Sequence, residues 1–378
     1  MVTGGAFFLV LGGILAAGLW PFNPFPANEV SWLKGRNGLL FGRHPLVISR
    51  SPIRLPDPGS SSVSLEIWVQ ISQQHPSDQL VHQNTLLSIW TPENPRQFRL
   101  IHYRDDLLVR RDASDPTRYS KKGEIRISNL FHRDAECFIT IAAGPGRTAV
   151  YVDGKRVDES NLFGLTHRDL SGQLILGTSP IDHAPWLGEL RGLAVYPSEL
   201  SPVQALAHFQ KWMQNRELEL TQEEKPAALY DFHEGSGQIV HNLGSEAPDL
   251  VIQEHYTLPH KLFLELPWNE FHADRAYVKE ILLNMAGFVP LGMAGYTFFL
   301  CGRPRHSAVW TTILLGFATS VTIEVLQGFL PNRFSGCTDI LTNTAGTGIG
   351  VYLCAQTGMD DLLQRLRKKQ VNEGEKNI

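Results

Sequence analysis

The sequence predicts a multi-domain chain that combines an α-helical bundle of four membrane spans with an all-β antiparallel sandwich of the jelly-roll type. Long apolar runs occur near the beginning and towards the end of the 378-residue chain. Between them, short stretches alternate apolar and polar residues. An apolar run of about 20 residues matches the thickness of a bilayer, whereas alternation with a period of two is typical of strands with a buried face.

The overall composition is that of a folded protein, because 43% of the residues are hydrophobic and 19% are charged. The formal net charge of −4 gives no general cationic field, and no basic stripe interleaved with aromatic residues is present. These features exclude nucleic acid as an expected partner. Of four cysteines, only Cys137 lies in the polar middle of the chain, so that region cannot close a disulfide within itself.

Four segments are predicted to cross the lipid bilayer. They are a first helix within 1–23 and three helices of a membrane domain at 267–358, namely 281–302, 307–330 and 340–358. For the first segment a cleaved signal peptide is the alternative, but no Lys or Arg precedes the apolar run, which favours a retained anchor. The fourth is only weakly apolar, yet Gly346 and Gly350 have the spacing of closely packed helices, and we expect it to form a hairpin with the third.

Basic residues in the short flanks predict the orientation of the spans. The segments 302–306 and 365–369 are rich in Arg and Lys, which places both on the cytoplasmic side. Both termini, including a tail at 359–378, are then cytoplasmic, and the domain at 24–266 lies outside. A mild opposing signal comes from three basic residues that follow the first span, Lys34, Arg36 and Arg43.

The outer segment is predicted to be a β-sandwich because short strand-like runs follow one another between turn residues. In "SLEIWVQI" (64–71) every second residue is aliphatic, and similar runs are "TLLSIW", "QFRLIHY", "CFITIAA", "QLILG" and "ELRGLAVY". Asp153 and Gly154 form the turn of a predicted hairpin that requires positive φ. One helix is expected, with Ser201 as its cap, Pro202 as its first residue, and an apolar stripe formed by Leu206, Phe209 and Met213.

The runs "SLEIWVQI", "ITIAAGPGRTAVYVDGKRV" and "LILGTSPIDHAPWLGELRGLAVYPSELSPVQ" together resemble the laminin-G-like, concanavalin-A-like sandwich family over roughly 60–215. The segment 228–252 looks like the opening strands of such a domain but follows its body. We therefore predict a circular permutation in which this late segment completes the sheets. Domains of this family often bind glycans, whereas others are adhesive or structural, so the fold alone does not decide the function.

Candidate sites in the sandwich are few. Trp90 and Trp186 are candidates for stacking on a glycan, and the alternative is that both are core aromatics. No E-x-D-x-E strand supplies the paired carboxylates of a glycosidase. The histidines lack clear metal-ligand spacing and are interpreted as surface or capping residues: His75, His82, His102, His132, His167, His183 and His208. No cofactor is evident, although the resemblance allows a calcium ion held by loop aspartates.

Costly polar residues lie inside or next to the apolar spans. Glu324 and Gln327 share a helix face with small residues, and the connection that follows holds Arg333, which could pair with Glu324 or with Asp339. Asp339 and Asn343 share a face of the last span. On the neighbouring span lie Asn284 and, six residues later, Pro290, where we expect a helix break. Because polar groups in hydrocarbon turn towards partners, two interpretations stay open: a ligand site, or a network that fixes helix packing.

These motifs resemble the VanZ-like membrane family over about 268–356. The resemblance rests on "NMAGFVPLG", on Glu324 with Gln327, on Arg333 with Asp339, and on Asn343 with Gly346. A weaker match, His272 and Asp274, precedes the second span. The resemblance implies a multi-pass protein of the bacterial cytoplasmic (inner) membrane, possible involvement in glycopeptide-type envelope stress, and an outer domain inserted after the first helix.

Two functions follow as hypotheses. In the first, which leans against catalysis, the outer sandwich recognises a glycan, peptidoglycan, another cell-wall component or a protein. In the second, the bundle is a membrane-embedded enzyme that acts on a lipid-linked envelope precursor, with Glu324 or Asp339 as general acid or base and Arg333 holding a phosphate. No phosphate-binding glycine loop, activated nucleophile or metal motif supports the second hypothesis.

Overall fold

The computed structural model describes residues 2–56, 62–71, 84–111, 123–131, 136–181, 183–270 and 275–356. Its described residues fall into two compact units. One unit draws on Met1–Pro24 and Leu262–Ile378, and the other is Phe25–Lys261. The second unit is the β-sandwich and the first is helical. The histidines at 75, 82 and 132, the motif residues His272 and Asp274, the basic segment 365–369 and the tail at 359–378 lie outside the described residues.

The sandwich unit contains sixteen strands within the described residues. In chain order they are β1 (Val30–Trp32), β2 (Leu39–Phe41), β3 (Val47–Ser49), β4 (Val63–Ile71), β5 (Asn84–Thr91), β6 (Asn94–Tyr103), β7 (Asp106–Arg111), β8 (Glu124–Ile127), β9 (Glu136–Gly144), β10 (Arg147–Val152), β11 (Lys155–Ser160), β12 (Gln173–Leu176), β13 (Gly188–Tyr196), β14 (Ala228–Tyr230), β15 (Ile239–Val240) and β16 (Leu250–Ile252). Each run that alternation predicted is a strand, and all pairings are antiparallel, so the predicted fold class is confirmed.

The strands form two sheets with a shared core. One sheet has the order β1-β2-β13-β4-β9-β10-β11, with β14 also paired with β13, and the other has the order β15-β16-β3-β12-β5-β6-β7-β8. Inward-facing side chains of both sheets make one continuous cluster, for example Leu65 and Ile67 of β4 with Leu87 and Ile89 of β5. Burial of this apolar surface is the main source of stability for a sandwich.

The late segment contributes to both sheets, as predicted. Leu193 of β13 pairs with Tyr230 of β14, and Ile48 of β3 pairs with Val251 of β16. The two ends of the unit also meet, because Ala27 and His255 form an antiparallel bridge. The N–H of residue 28 donates to the carbonyl of residue 254 at 3.1 Å, and the N–H of residue 256 donates to the carbonyl of residue 26 at 2.9 Å.

The turn chemistry predicted for the β10–β11 hairpin is confirmed. Asp153 has φ of 50° and Gly154 has φ of 74°, the left-handed conformation that a two-residue turn of this type needs. A Cβ on Gly154 would also lie 2.7 Å from a side-chain carbon of Leu206. Glycine therefore fits this turn for both its backbone angle and its close contact.

The predicted helix is present as α2 (Pro202–Met213), but its buried face differs from the prediction. Ser201 accepts the N–H of Gln204 and Gln204 reciprocates, which is a complete capping box. The side chains that face the sheet are Ala205, His208 and Trp212, whereas Leu206 and Met213 are exposed and Phe209 is half-buried. The predicted stripe is therefore wrong by one position for most of its members, because the sheet beneath α2 carries a buried acid, described below. A 3-10 turn (Glu217–Glu219) and the short helix α3 (Leu220–Glu223) follow.

The helical unit contains α1 (Val2–Leu19), the short α4 (Pro267–Glu270), α5 (Arg275–Leu300), α6 (Arg305–Gln327) and α7 (Cys337–Gln356). Two segments, Tyr277–Leu300 and Arg305–Gln327, are long and apolar enough to cross a membrane, and Thr3–Leu19 is a shorter apolar helix. Helix α7 has 20 residues and carries more polar groups. The four-span count therefore stays a prediction.

Helix α5 runs through Pro290 without interruption, so the predicted break is wrong. Proline lacks the N–H that would bond to the carbonyl of Ala286, and this single lost bond does not end the helix. A Cβ on Gly346 of α7 would overlap the carbonyl oxygen of Met285, and a Cβ on Gly350 would overlap that of Val289. The small face of α7 thus packs directly on the backbone of α5, as its glycine spacing predicted.

Candidate functional site

Glu324 lies in the last turns of α6, and its side chain is 1% exposed. Its Oε2 accepts the N–H of Gly336 at 2.9 Å, and its main-chain carbonyl accepts the hydroxyl of Ser335 at 2.8 Å. Both partners belong to the connection between α6 and α7. A carboxylate that accepts a main-chain N–H makes a charge-assisted hydrogen bond, roughly twice as strong as a neutral one. Glu324 therefore holds this connection against the end of α6.

Two amide side chains join the other helices of the bundle. Asn284 of α5 donates through Nδ2 to Oδ1 of Asp339 in the first turn of α7, at 2.7 Å. Asn343, one turn further along α7, donates through Nδ2 to the hydroxyl oxygen of Ser320 on α6, at 3.0 Å. Each bond crosses a helix–helix contact, and such bonds are the usual way in which polar side chains are satisfied inside a membrane bundle.

The remaining two predicted residues bind the carboxyl end of α1. Gln327 donates through Nε2 to the carbonyl of Gly18 at 2.7 Å, and the guanidinium of Arg333 donates to the carbonyl of Trp20. Carbonyls at a helix end have no partner within the helix, and a cation near them interacts favourably with the helix dipole. Gln327 and Arg333 thus connect α6 and its following loop to α1.

The structure uses the predicted polar residues in hydrogen bonds between neighbouring helices and their connections. Their bonds link α5 with α7, α6 with α7, and α6 with α1. The sequence had suggested Arg333 as a partner of Glu324 or Asp339, and its hydrogen bond to the Trp20 carbonyl was not foreseen. Main-chain acceptors carry no residue-type signal, which is why the roles of Gly18 and Trp20 could not be recognised from the sequence.

The two tryptophans considered as glycan platforms lie in the sandwich. Trp186 is 1% exposed and packs against Phe41 with ring centroids 5.5 Å apart. Trp90 is 8% exposed and packs in a smaller cluster with Leu46 and Tyr256. A sugar can stack on an indole only where the ring face is open. Their burial favours the core-aromatic alternative for both residues.

Two family models match the chain. Residues 228–358 match the model of VanZ/LLP1, and residues 49–205 match that of the Concanavalin A-like lectin/glucanases superfamily. The chain carries a VanZ-like domain and a concanavalin A-like domain. Both resemblances found in the sequence are confirmed. The VanZ-like match starts at β14, and the structure places the strands β14, β15 and β16 in the sheets of the concanavalin A-like domain.

No curated protein matches the chain. Several solved structures are similar to part of the chain at low identity. The botulinum neurotoxin serotype D binding domain has 14% identity and a TM-score of 0.37, with 49% of this chain and 45% of that chain covered. The serotype D ligand binding domain in complex with N-acetylneuraminic acid has 15% identity and a TM-score of 0.36, with 49% and 45% covered.

A third solved structure, the binding domain of Paraclostridial Mosquitocidal Protein 1, has 12% identity and a TM-score of 0.36, with 50% of this chain and 47% of that chain covered. This chain thus spans less than half of each of the three structures. Together, the two family matches and the two apolar helices describe a membrane-associated protein with a lectin-type domain.

A buried polar network that the sequence did not reveal lies on the outer face of the concanavalin A-like domain, under α2. Glu66 of β4 is fully buried, and its carboxylate accepts hydrogen bonds from Tyr196 at 3.0 Å and, at 3.4 Å, from Trp212 and Thr140. His208 lies 3.0 Å from the same carboxylate. Burial, followed by the charge of Glu66, raises the pKa of Tyr196 well above its usual value, so its hydroxyl remains a donor.

The histidines of this domain are not all surface residues. His208 and His102 are buried, at 1% and 5% exposed, so the surface interpretation is wrong for these two, while His167 and His183 are half-buried. Within the described residues, no group of three or more His, Cys, Asp or Glu side chains could hold a metal ion. A calcium ion held by loop aspartates stays a prediction.

Proposed function

We propose that this is a bacterial envelope protein whose VanZ-like bundle anchors a concanavalin A-like domain that recognises a saccharide outside the membrane. One observation supports this assignment of a structural role to the bundle and a recognition role to the sandwich. Each of the polar side chains that the sequence singled out in the bundle has a hydrogen-bond partner within the bundle, and those partners lie on neighbouring helices or their connections. Side chains used in this way support a structural scaffold.

The energetics agree with this assignment. A charged side chain at the centre of a bilayer costs about 2.5–3.5 kcal/mol even on the lenient insertion scale, and interhelical hydrogen bonds contribute roughly 0.6–2 kcal/mol each. A set of such bonds that spans four helices offsets much of this cost. Polar residues are then retained because they specify one packing arrangement of the helices. Recognition of an external ligand is left to the domain whose superfamily includes lectins.

The second candidate function is catalysis on a lipid-linked envelope precursor. Arg333 and Asp339 favour it, because both are half-buried and lie near the end of the bundle where exposed aromatic side chains occur, as at a membrane interface. These aromatics are Trp20, Phe22, Phe329 and Phe334. Glu324 does not favour it, since a general base must reach the proton that it removes and this carboxylate is 1% exposed.

Substitution of Glu324 separates the scaffold from the enzyme. With Glu324→Ala we expect less folded, monodisperse protein and a lower thermal midpoint, because the N–H of Gly336 loses its acceptor, and we expect a smaller effect with Glu324→Gln. Glu280→Gln, at an exposed position of α5, serves as the control and should leave both quantities unchanged. A Glu324→Gln protein with wild-type yield and midpoint but without turnover of a lipid-linked precursor would favour the enzyme.

The recognition role is tested with the full-length protein in lipid nanodiscs. Binding to arrayed oligosaccharides, peptidoglycan fragments and polysaccharides is measured with calcium and with a chelator. Saturable binding to one saccharide class is the expected result. Folded protein that binds none of these ligands in either condition contradicts the proposal and shifts the search to protein partners.

A further inference from the structure

A cleft of about 320 Å³ opens at one end of the concanavalin A-like domain. Its walls come from the β9–β10 turn, which contains Pro145, and from the segment after β11, which contains Asn161 and Leu162. Arg111, the last residue of β7, forms a further wall. The volume is at the lower limit for a small-molecule site, which corresponds to a ligand of one or two small rings.

Arg111 is the unusual residue of this cleft. A guanidinium has five N–H donors, yet in the described part of the structure it makes no hydrogen bond. Its nearest acidic group, Oδ2 of Asp169, is 3.7 Å from the terminal nitrogen, which is too far for a hydrogen bond. Its Nε is buried without a partner. Buried donors are nearly always satisfied, so this side chain points to an acceptor supplied by a ligand.

The other lining side chains have complementary properties. Asn161 is exposed, and its amide can both donate and accept hydrogen bonds. Leu162 is 72% exposed, which is a large exposed fraction for an aliphatic side chain beside a cleft. A saccharide presents hydroxyl oxygens along its edge and C–H groups on its face. The cleft therefore offers polar side chains for the edge of a sugar ring and an apolar side chain for its face.

The surrounding charges decide between a neutral and an acidic sugar. Asp169 faces Arg111 across 3.7 Å and balances its charge. Next to the β9–β10 turn, Arg147 is paired with both Glu199, at 2.8 Å, and Glu159, at 3.5 Å. Glu159 also pairs with Arg156, at 2.6 Å, so these charges cancel and give no net positive field that would attract an anionic ligand. The balance favours a ligand without charge.

We infer that this cleft binds a neutral saccharide unit, with Arg111 and Asn161 hydrogen-bonded to its oxygens and Leu162 packed against its C–H face. This inference rests on the proposed recognition function and assigns that function to one place in the domain. Asp169 acts as a positioning residue, since its Oδ2 also accepts two hydrogen bonds from Thr166, at 2.8 and 2.9 Å, and is thereby fixed beside the guanidinium.

The test is titration of the full-length protein in nanodiscs with neutral tetrasaccharides of glucose, galactose or N-acetylglucosamine, and with uronate tetrasaccharides as charged comparators. Arg111→Lys keeps the charge next to Asp169 but loses the planar fork, and Asn161→Ala removes the amide. Each should raise Kd for the bound neutral sugar about tenfold, the equivalent of about 1.4 kcal/mol. Arg36→Lys is the matched control, since Arg36 is an exposed arginine paired with Glu189 at 2.6 Å.

Thermal unfolding of each variant shows that it is folded. Leu162→Ala tests the apolar contact separately, because truncation of an exposed side chain should have little effect on folding. A higher Kd for the three cleft variants, with an unchanged Kd for Arg36→Lys, supports the inference. Unchanged Kd in all cleft variants overturns the assignment of the cleft while the recognition function stands. Preference for the uronate sugars overturns the neutral ligand, and failure of the wild-type protein to bind any saccharide overturns both proposals.

Discussion

Nδ1 of His208 lies 3.0 Å from Oε1 of Glu66, although 142 residues separate them in the chain. Both side chains are closed to solvent, one on α2 and the other on the central strand β4. The same carboxylate accepts hydrogen bonds from Tyr196 and Trp212. A buried carboxylate is tolerated only with several such partners. The contact therefore fixes the position and rotation of α2 on the sheet.

The first prediction concerns this contact. Glu66→Ala removes the acceptor shared by several buried donors, and we expect it to lower the free energy of unfolding of the sandwich by about 3–5 kcal/mol. The measurement is chemical unfolding of the detergent-solubilised protein, followed by near-ultraviolet circular dichroism. Glu219→Ala, at an exposed ion pair with Arg216, should leave the midpoint nearly unchanged. A loss below about 1 kcal/mol for Glu66→Ala would contradict the structural role of the network.

The same contact shows what the sequence could and could not predict. The alternation in β4 and the cap of α2 can be recognised in the sequence, because periodicity and capping depend on residues that are close together in the chain. Alternation puts Glu66 on the face of β4 opposite the aliphatic residues, and it cannot reveal that a distant helix covers that face. The stripe of α2 was misassigned for the same reason: hydrophobicity favoured Leu206 and Met213, whereas His208 and Trp212 are the residues that contact the buried acid.

In the bundle, too, some features could be predicted from the sequence and others could not. Spans of about 20 apolar residues and the small residues of α7 were readable from composition and spacing. The sequence also shows which polar residues lie in the spans or beside them, but it does not show their partners. Gln327 and Arg333 bind main-chain carbonyls of α1, more than 300 residues earlier, and such acceptors exist at every position of a chain.

The second prediction tests the close packing of α5 and α7. Gly346→Ala places a methyl group against the carbonyl of Met285, and backbone cannot move aside as a flexible side chain can. We expect a loss of about 1–3 kcal/mol or more, seen as a lower thermal midpoint and as aggregation on size-exclusion chromatography. Gly348→Ala on the same helix has nothing within 4 Å of the added methyl and should be neutral or slightly stabilising. Equal behaviour of the two variants would refute this packing.

The third prediction concerns pH. The N–H of Asn129 and the guanidinium of Arg126 hydrogen-bond to Asp106, at 2.9 and 2.6 Å, and these contacts lower its pKa below the usual 3.8 despite burial. The unfolded chain then binds the proton more readily, so the stabilisation is complete above about pH 4 and is lost as the pH falls through the lower folded value. Asp106→Asn should destabilise the sandwich at pH 7 and flatten its acid dependence.

Denaturant midpoints from pH 2.5 to 7 measure this effect. Asp158→Asn, on the exposed strand β11, is the control and should keep the wild-type pH profile. A steep acid dependence that persists in Asp106→Asn would show that other carboxylates determine the acid stability.

The fourth prediction concerns the late segment. Deletion of 226–256 removes β14 from one sheet and β15 and β16 from the other, and exposes the core at both places. We expect the whole sandwich to lose cooperative unfolding. Tyr230→Phe is the mild comparison, because it removes only the 2.6 Å hydrogen bond to the carbonyl of Pro248 and should cost about 1 kcal/mol. A deletion variant that still unfolds in one sharp transition would exclude a structural role for the segment.

The bridge between Ala27 and His255 has a consequence for the architecture of the gene product. Because the first and last residues of the domain are adjacent, the domain is an insertion between two parts of the helical unit. The sandwich can then be deleted and the two ends of the remaining chain joined by a few residues, without any change in the order of the helices. The same geometry allows another domain with adjacent ends to take its place, so the helical unit can carry different domains at this point of the chain.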